Sequence, residues 1–298
     1  AGIVLKAKKN DLEGLEFAEL VDYAIQFKQE DNDEIYDALY KTTRTKIFVS
    51  EIDSSSANQI AKGWAGFTSE DVKKAVQELN IEGKTITRKL VYKMQRIANE
   101  DIIRAEETGE WGALQSDLNT ELRKGVKGVQ VRAILIGDTV NANGSKVDTF
   151  ETIGTKTVTD LFTTVVNPAT PNTVTLVDVA KTAAAVKTDK KWAVMSSDLK
   201  LALRQHIYAA GGTVTLLSDD DLAAMIGVER IIEKDFISEV DGLHVIVFDP
   251  SEYWVNNGGE LNASFPVWEN NVQKIIHEQY VGGLIHGIKS SAILAENA

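Results

Sequence analysis

A stripe of apolar residues recurs every three or four positions between residues 111 and 136, and it constrains the fold more than any other pattern in the chain. Such spacing places these side chains on one face of an α-helix. At about 1.5 Å per residue the helix should be roughly 35 Å long, which is unusual inside a compact domain. Gly125 and Gly128 weaken its middle, so close packing or bending is expected there. The stripe consists of Trp111, Leu114, Leu118, Leu122, Val126, Val129, Ala133 and Ile136.

The predicted helix ends in RAILIGDTVNANG, residues 132–144, where an apolar run gives way to Gly137 and Asp138. One interpretation is a nucleotide site, because glycines between a strand and a helix hold phosphates in dinucleotide-binding folds. Here the apolar run follows a helix, and no second or third glycine stands at the required spacing. The sequence therefore favours a structural turn.

The composition excludes several classes of site. The chain of 298 residues carries a net charge of −12, which argues against a surface that binds nucleic-acid phosphates. It has no cysteine, which excludes disulfides, thiolate nucleophiles and cysteine-bound metals. No apolar run is long enough to span a membrane, and no secretory signal opens the chain. Since the first residue is Ala, we expect an N-terminus made by proteolysis.

Charged segments dominate the N-terminal third of the chain. Apolar residues recur at helical spacing over 12–25, and the acidic stretch at 29–41 is expected at the surface. TKIFVSEI, residues 45–52, predicts a strand, and TSEDVKKAVQELN, residues 68–80, predicts a capped helix. The alternation of EGKTITRKLVYKMQRIA, residues 82–98, predicts one long strand of a charged ribbon.

The C-terminal half predicts a mixture of helices and strands. TLVDVAKTAAAVK, residues 175–187, is typical of a capped helix, and KWAVMSS, residues 191–197, of a buried strand. A second capped helix is expected in SDLKLALRQHI, residues 197–207. Further strands are expected at 227–234 and 242–249, and the strongly alternating last 34 residues should end in a strand.

The polar residues form no catalytic constellation, and no cofactor or metal is expected. His277 and His286 enclose a motif that begins like that of a zinc protease, but their spacing of nine residues instead of four prevents them from sharing a helical face. Together with His206 and His244, they are better interpreted as hydrogen-bonded strand residues. The acidic run Ser218–Asp221 is interpreted as a helix cap rather than a calcium site.

The basic N-terminal residues and the charged ribbon are marginal on their own, because isolated hairpins bury too little surface to offset their ordering. Such appendages are expected to lie across neighbouring copies of the same chain. Head-to-tail contacts of this kind close into rings when the rotation permits.

The order of the parts resembles the major capsid proteins of tailed bacteriophages, whose Hong-Kong-ninety-seven-type fold is shared with encapsulins. The resemblance covers nearly the whole chain. RKLVYKMQRIANEDIIRAEE is similar to the returning arm of the family's extended loop, and RAILIGD to its turn after the spine helix. DVAKTAAAVKTDKKWAVMSSDLKLALRQ resembles the family's axial domain, with the VMSS…LR pattern the most telling. HVIVFDPSEYWVNN and EQYVGGLIHGIKSSAIL resemble the final strands.

The resemblance implies an α+β fold with four parts. These are an N-terminal arm at 1–45, an extended β-hairpin loop region at 46–95, a peripheral domain with the long spine helix at 96–140 and 263–298, and an axial domain at 141–262. Within the family, a mature chain of this length is similar to siphophage capsid proteins of the T-five kind.

The function that the resemblance implies is structural, not enzymatic. Members self-assemble into the icosahedral head that encloses packaged double-stranded DNA without sequence-specific binding. The implied partners are other copies in hexamers and pentamers, the portal, a decoration protein, the scaffolding segment of the chain's own precursor and the prohead protease that removes it. The expected location is the virion, assembled in the host cytoplasm, with no membrane partner.

Some members of the family join subunits through a Lys–Asn isopeptide bond, assisted by a Glu. Asn271 and Glu278 resemble that Asn and Glu in their spacing. The lysine belongs on the extended loop, where Lys62, Lys73, Lys74 and Lys84 are all candidates. The simpler and favoured interpretation is that Asn271 and Glu278 are ordinary surface residues of a strand.

Two alternative functions remain open from the sequence. An encapsulin nanocompartment shell has the same fold but normally keeps its initiator Met and holds a cargo enzyme. A soluble α+β metabolic enzyme is the alternative of a different class, and it would form a small, discrete oligomer.

Overall fold

In the computed structural model, the described residues are 33–51, 80–107, 109–137, 149–171, 173–208, 217–267 and 271–296. The helical spacing over 12–25 lies outside them, and so does the expected helix at 68–80 except for its last residue, Asn80, which is in a strand. The chain divides into two compact units. The first contains Tyr92–Gly128 and Glu260–Glu278, and the second contains the described parts of Ile35–Val91, Val129–Gly259 and Gln279–Ala298. The four-part division expected from the sequence stays a prediction.

The structure is an α+β arrangement of helices and strands that alternate irregularly. The helices are α1 (Asp33–Ala38), α2 (Asn99–Glu107), α3 (Trp111–Leu135), α4 (Leu176–Ala185), α5 (Ser197–Tyr208) and α6 (Asp219–Ile226). The strands are β1 (Tyr40–Thr42), β2 (Lys46–Glu51), β3 (Asn80–Thr85), β4 (Lys89–Ala98), β5 (Thr163–Val166), β6 (Trp192–Met195), β7 (Arg230–Glu233), β8 (Leu243–Phe248), β9 (Tyr253–Val267), β10 (Val272–Ile285) and β11 (Ser291–Ala295). None of these described helices combines the length and the hydropathy that crossing a membrane requires.

The long helix predicted at 111–136 is confirmed as α3. It ends where Gly137 takes a left-handed φ of 71° and its amide donates to the carbonyl of Arg132 at 3.2 Å. A glycine in this conformation closes a helix without a side-chain penalty. The interpretation of Gly137 as a structural turn is therefore confirmed, whereas Asp138 lies outside the described residues.

In the first unit, α3 packs on strands through the apolar stripe. Leu118, Leu122 and Ile275 of β10 form its buried centre. Ile97 of β4 and the residues Trp111 and Leu114 at the start of α3 pack against this centre. The strands belong to a four-stranded sheet with the order β1-β9-β10-β4.

The prediction of one long strand over 82–98 is wrong, because the segment forms β3 and β4 with a break at residues 86–88. Strand β3 pairs with β2 in a separate two-stranded sheet, and β4 joins the edge of the four-stranded sheet. At the break, the Ile86 side chain is buried and its amide donates to the Thr45 carbonyl at 2.8 Å. Alternation continues through the break, so the pattern does not reveal it.

The second unit contains a five-stranded sheet with the order β5-β11-β8-β6-β7. Strand β11 pairs parallel with β5 and antiparallel with β8, and β6 pairs antiparallel with β8 and parallel with β7. The predicted sequence of helix, strand and helix is confirmed as α4, β6 and α5. Thr175 caps α4 by accepting from the Asp178 amide at 3.3 Å, while Asp178 accepts from the Thr175 amide, a complete capping box.

The acidic stretch at 29–41 is not wholly at the surface as predicted. Within its described part, α1 buries Ile35, Tyr36 and Leu39, which are 0%, 6% and 3% exposed. The Tyr36 hydroxyl accepts from Gln279 Nε2 at 3.2 Å. Because acidic residues dominate the sequence of this short helix, the pattern does not show that its apolar side packs inward.

Substituting Gly137 by alanine is expected to lower the free energy of unfolding by about 1–2 kcal/mol, because an L side chain resists the left-handed region. The new Cβ would also meet Thr152 Oγ1 at 2.7 Å. Gly112→Ala is the matched control in the first turn of the same helix, where nothing lies within 4 Å of an added Cβ. It should raise the free energy of unfolding by up to about 1 kcal/mol. Urea denaturation followed by circular dichroism measures both, and equal effects would contradict the assignment of Gly137.

Candidate assembly surfaces

Strands β2 and β3 form an antiparallel hairpin that pairs with no other described strand. Its register runs from Lys46 opposite Thr85 to Glu51 opposite Asn80. The Phe48 side chain is 73% exposed. Two strands with an exposed aromatic residue bury too little to be stable alone, so this hairpin is a candidate for a surface that a partner covers. The rest of the predicted loop, residues 52–79, lies outside the described part of the chain.

Lys84 of β3 fixes the hairpin to other segments of the second unit. Its ammonium lies 3.0 Å from Glu151 Oε2 and 3.2 Å from Glu151 Oε1. The same nitrogen lies 3.3 Å from the centre of the Phe162 ring and 3.5 Å from the Ile285 carbonyl oxygen. The side chains of Lys84 and Glu151 are only 16% and 23% exposed, so solvent screens the pair weakly.

A second lysine shares the Glu151 carboxylate. Lys156 Nζ lies 3.4 Å from Glu151 Oε1 and 2.7 Å from Asp160 Oδ2. Burial alone would lower the pKa of Lys156, but the hydrogen bond to Asp160 and the two carboxylate charges outweigh it and raise that pKa. Burial alone would raise the pKa of Asp160, but hydrogen bonds from Lys156 and two backbone amides outweigh it and lower that pKa. Both groups therefore stay ionised around neutral pH.

The two residues predicted for cross-linking lie apart on the same strand segment. Asn271 is exposed in the turn before β10 with a φ of 49°, and its Oδ1 accepts from Asn99 Nδ2 at 2.9 Å. Glu278 is half-buried in β10. Seven residues of extended strand separate their backbones by about 23 Å. The structure therefore does not bring Asn271 and Glu278 together within one chain, and a site that uses both must take them from different copies.

The candidate lysines for that cross-link differ in what the structure says of them. Lys62, Lys73 and Lys74 lie outside the described residues. Lys84 is described, and its ammonium is held by Glu151 and the Phe162 ring. In this conformation the Lys84 amine is engaged by the carboxylate and the ring, so it does not face the side-chain amide of an Asn.

The histidines whose side chains are described all have polar partners, as expected. His244 lies 3.3 Å from Glu296, and His286 lies 3.2 Å from Glu252 and stacks on Trp254 with ring centres 4.0 Å apart. The His206 side chain lies outside the described part. Within that part, no group of three or more His, Cys, Asp or Glu side chains could hold a metal ion.

His277 is the most deeply buried of the described histidines, with its side chain 1% exposed. Its Nδ1 lies 2.5 Å from Asn262 Oδ1 and 3.7 Å from Glu260 Oε1, and Arg123 of α3 pairs with Glu260 at 2.9 Å. Burial lowers the pKa of His277, and the nearby Arg123 charge lowers it further, against the opposing effect of Glu260. The imidazole is therefore neutral at pH 7.

The sheet face turned away from α3 in the first unit carries exposed apolar residues. Ile97 of β4 and Ile275 of β10 pack on the α3 cluster, and Glu260 of β9 pairs with Arg123 of α3. Because side chains alternate along strands, their sequence neighbours point to the opposite face. The large exposed members of that face are Tyr92, Met94, Leu261 and Phe265, which are 45%, 38%, 55% and 41% exposed. Several large apolar side chains exposed on one face of a sheet are typical of an interaction surface.

The acidic run at Ser218–Asp221 is confirmed as a helix cap. Ser218 Oγ accepts from the Asp221 amide at 3.2 Å at the start of α6. Asp219 also binds Lys200 of α5, whose ammonium lies 2.6 Å from Asp219 Oδ2 and 2.5 Å from Glu233 Oε1. The acidic residues are thus used for capping and ion pairing within the second unit.

Comparisons with known proteins match the chain by structure. No family model and no curated protein sequence matches it. One similar structure is the capsid of a native GTA particle, computed with C5 symmetry. Its alignment has a TM-score of 0.63 and 16% identity, and it covers 99% of this chain and 100% of that chain. A structure from Mycobacterium phage Ogopogo has a TM-score of 0.63 and 12% identity, with 95% and 99% covered. The capsid of Myoviridae phage XM1 has a TM-score of 0.61 and 9% identity, with 99% of both chains covered.

This chain therefore has the fold of phage capsid proteins over nearly its whole length. The expected fold class, α+β with the Hong-Kong-ninety-seven-type architecture, is confirmed. The closer similarity to the T-five kind stays a prediction.

The stability of the chain is expected to fall as the pH drops below about 6.5, in part because of His277. The unfolded histidine takes up a proton near pH 6.5, whereas burial lowers the pKa of the folded one, so the unfolded state binds more protons between these two values. His277→Gln should flatten this part of the curve of free energy of unfolding against pH. Identical slopes for His277→Gln and the unmodified chain would contradict the prediction.

Proposed function

We propose that this chain is a structural subunit that self-assembles into the icosahedral head of a tailed phage, that the head encloses packaged double-stranded DNA, and that the chain is not an enzyme. The observation that carries the proposal is the fold likeness to capsid proteins over 99% of this chain and 100% of the compared chain. A fold alone does not define a function, so the surfaces described above add the second argument.

Two of those surfaces suit an assembled state better than a lone subunit. The β2–β3 hairpin exposes Phe48 and has no further strand partner among the described residues. The sheet face with Tyr92, Met94, Leu261 and Phe265 leaves large apolar side chains in water. Interfaces of about 1,600 Å² between many copies would cover such surfaces and, through multivalency, make a stable shell.

The partners of the chain in this proposal are mainly other copies of itself. One of the similar structures is a capsid computed with C5 symmetry, which favours rings of five, and we extend this to hexamers. The portal, the prohead protease, the precursor's scaffolding segment and a decoration protein complete the proposed set. Packaged DNA would be enclosed without sequence-specific binding, in agreement with the net charge of −12. Assembly is proposed to occur in the host cytoplasm.

The two alternatives are weaker for different reasons. A soluble α+β metabolic enzyme does not account for a full-length likeness to capsid proteins. An encapsulin shell shares the fold, so the likeness alone does not separate it from a phage head. The content of purified particles separates them, since a phage head holds DNA and a nanocompartment holds a cargo enzyme.

Full-length protein is expected to form particles that light scattering and electron microscopy resolve as closed shells. Replacing residues 52–79 by Asn-Gly, a two-residue turn that suits the pairing of Glu51 with Asn80, should leave monomers or rings that cannot close. This replacement keeps the buried Ile86 and Val91, which a deletion of residues 50–90 would remove.

The far-ultraviolet circular dichroism and the melting temperature of the shortened chain serve as the control and should stay close to those of the full chain. Closed shells from the shortened chain would contradict the role of the loop. A small, discrete oligomer from the full chain would contradict the proposed function itself.

We further propose that a lysine of the extended loop attacks the side-chain carbonyl carbon of Asn271 in a neighbouring copy. The new C–N bond replaces the amide C–N bond of Asn271. Glu278 of another copy accepts a proton from the attacking amine and passes it to the leaving nitrogen, which departs as ammonia. Denaturing gels of purified particles should then show covalent multimers, and mass spectrometry should find the branched peptide. Asn271→Ala should abolish the multimers, whereas the control Asn257→Ala should not. Particles that dissolve into single chains only would contradict the cross-link.

A further inference from the structure

We propose that Lys84 is a releasable latch that sets the angle of the β2–β3 hairpin relative to the rest of the second unit, which contains the five-stranded sheet. The latch consists of the Lys84 ammonium, the Glu151 carboxylate and the Phe162 ring. The inference rests on the proposed function, because a shell subunit that occupies both pentamers and hexamers has to present the same hairpin at different angles.

The latch joins the hairpin to three separate segments at one atom. Glu151 follows the isolated bridge at Phe150, Phe162 precedes β5, and Ile285 ends β10. Lys84 Nζ contacts the Glu151 carboxylate at 3.0 Å, the Phe162 ring at 3.3 Å and the Ile285 carbonyl at 3.5 Å. A movement of the hairpin that breaks one of these contacts strains the others. The contacts of the ammonium therefore keep the hairpin at one angle.

A fixed point lies directly beside the latch. The Thr87 carbonyl lies so close to Gly282 of β10 that a Cβ there would overlap it, and Ile86 is 4% exposed. Buried contacts of this kind do not slide, because interiors are close-packed. The segment Thr85–Thr87, where β3 ends and the break begins, therefore serves as the pivot. Lys84 lies on the part of the hairpin that turns about it.

The surroundings leave room for the latch to open. A cavity of about 310 Å³ lies at this place, and Lys84, Thr85, Thr149, Glu151 and Gly283 are among the residues that line it. The Lys84 side chain is 16% exposed, so its ammonium can reach water without crossing the core.

Opening the latch leaves no buried charge without a partner. Glu151 keeps Lys156 at 3.4 Å and the Ile285 amide at 3.1 Å when Lys84 departs. Removing one partner of a buried ion pair is costly mainly because the other charge is left isolated. Since Lys156 remains, the latched and released positions differ little enough in free energy for a neighbouring copy to select one of them.

The latch is tested by measuring the distance between two spin labels attached to the same chain. The chain has no cysteine, so Phe48→Cys on the hairpin and Val158→Cys outside it, before β5, give one specific label pair. The two replaced side chains are 73% and 72% exposed. The labelled full-length chain is diluted with unlabelled chain, so that only distances within one subunit are measured. Lys84→Met should raise the fraction of subunits whose label-to-label distance lies outside the main peak of the distribution, by about fivefold or more. Lys84→Arg and the exposed control Lys46→Met should keep the distribution of the unmodified hairpin.

A second label pair, Val158→Cys with Val177→Cys, lies entirely outside the hairpin and monitors the rest of the second unit. An unchanged hairpin distribution in Lys84→Met would overturn the latch. A change in both label pairs would also overturn it, because Lys84 would then support the unit rather than the angle of the hairpin. The measurement does not need a closed shell. A failure of the chain to form particles would therefore count against the proposed function and leave the result for the latch readable.

Discussion

The burial of one face of α3 is the interaction on which the rest of the structure depends. Leu122 and Val126 in the middle of the helix are each 1% exposed, and Ile134 and Leu135 near its end are 0% exposed. Leu122 and Val126 belong to the first compact unit, and Ile134 and Leu135 belong to the second. Each buried leucine or isoleucine is worth about 1.5–3 kcal/mol relative to exposure, which makes this face a large part of the stabilisation. Because the burial of this helix stabilises the chain, the fold can include short strands and a hairpin that is only marginally stable.

Local patterns predicted what depends on local chemistry. The 3.6-residue period of α3, the Thr175 and Ser218 caps and the Gly137 turn follow from contacts within a few residues, and the structure confirms them. The break at Ile86 was missed because alternation is preserved when a chain passes from one sheet to another. The burial of Ile35 was missed because its acidic neighbours dominate the composition of the segment. Patterning therefore identified the elements but not the partners of the strands.

The candidate surfaces show the same division. Lys84 and Glu151 are 67 residues apart, and nothing near either residue signals that they meet. Asn271 and Glu278 could be selected by their spacing in the sequence, yet only the extended course of β10 shows that one chain cannot bring them together. Resemblance to a family supplied the fold class correctly, because that depends on the order of many elements. It could not supply side-chain geometry, which depends on pairs that the fold brings together.

The hydrogen bonds that lead to the Tyr36 hydroxyl of α1 differ in kind from the contacts of the Lys84 ammonium in the hairpin. Gln130 Nε2 donates to Gln279 Oε1 at 2.7 Å, and Gln279 Nε2 donates to the Tyr36 hydroxyl at 3.2 Å, so the chain of contacts consists of uncharged groups. Dissolved ions weaken the attraction between charges but have little effect on buried neutral dipoles. The contact of Lys84 with Glu151 therefore depends on ionic strength, although its burial limits the screening, whereas the neutral contacts between Gln130, Gln279 and the Tyr36 hydroxyl should be almost independent of salt.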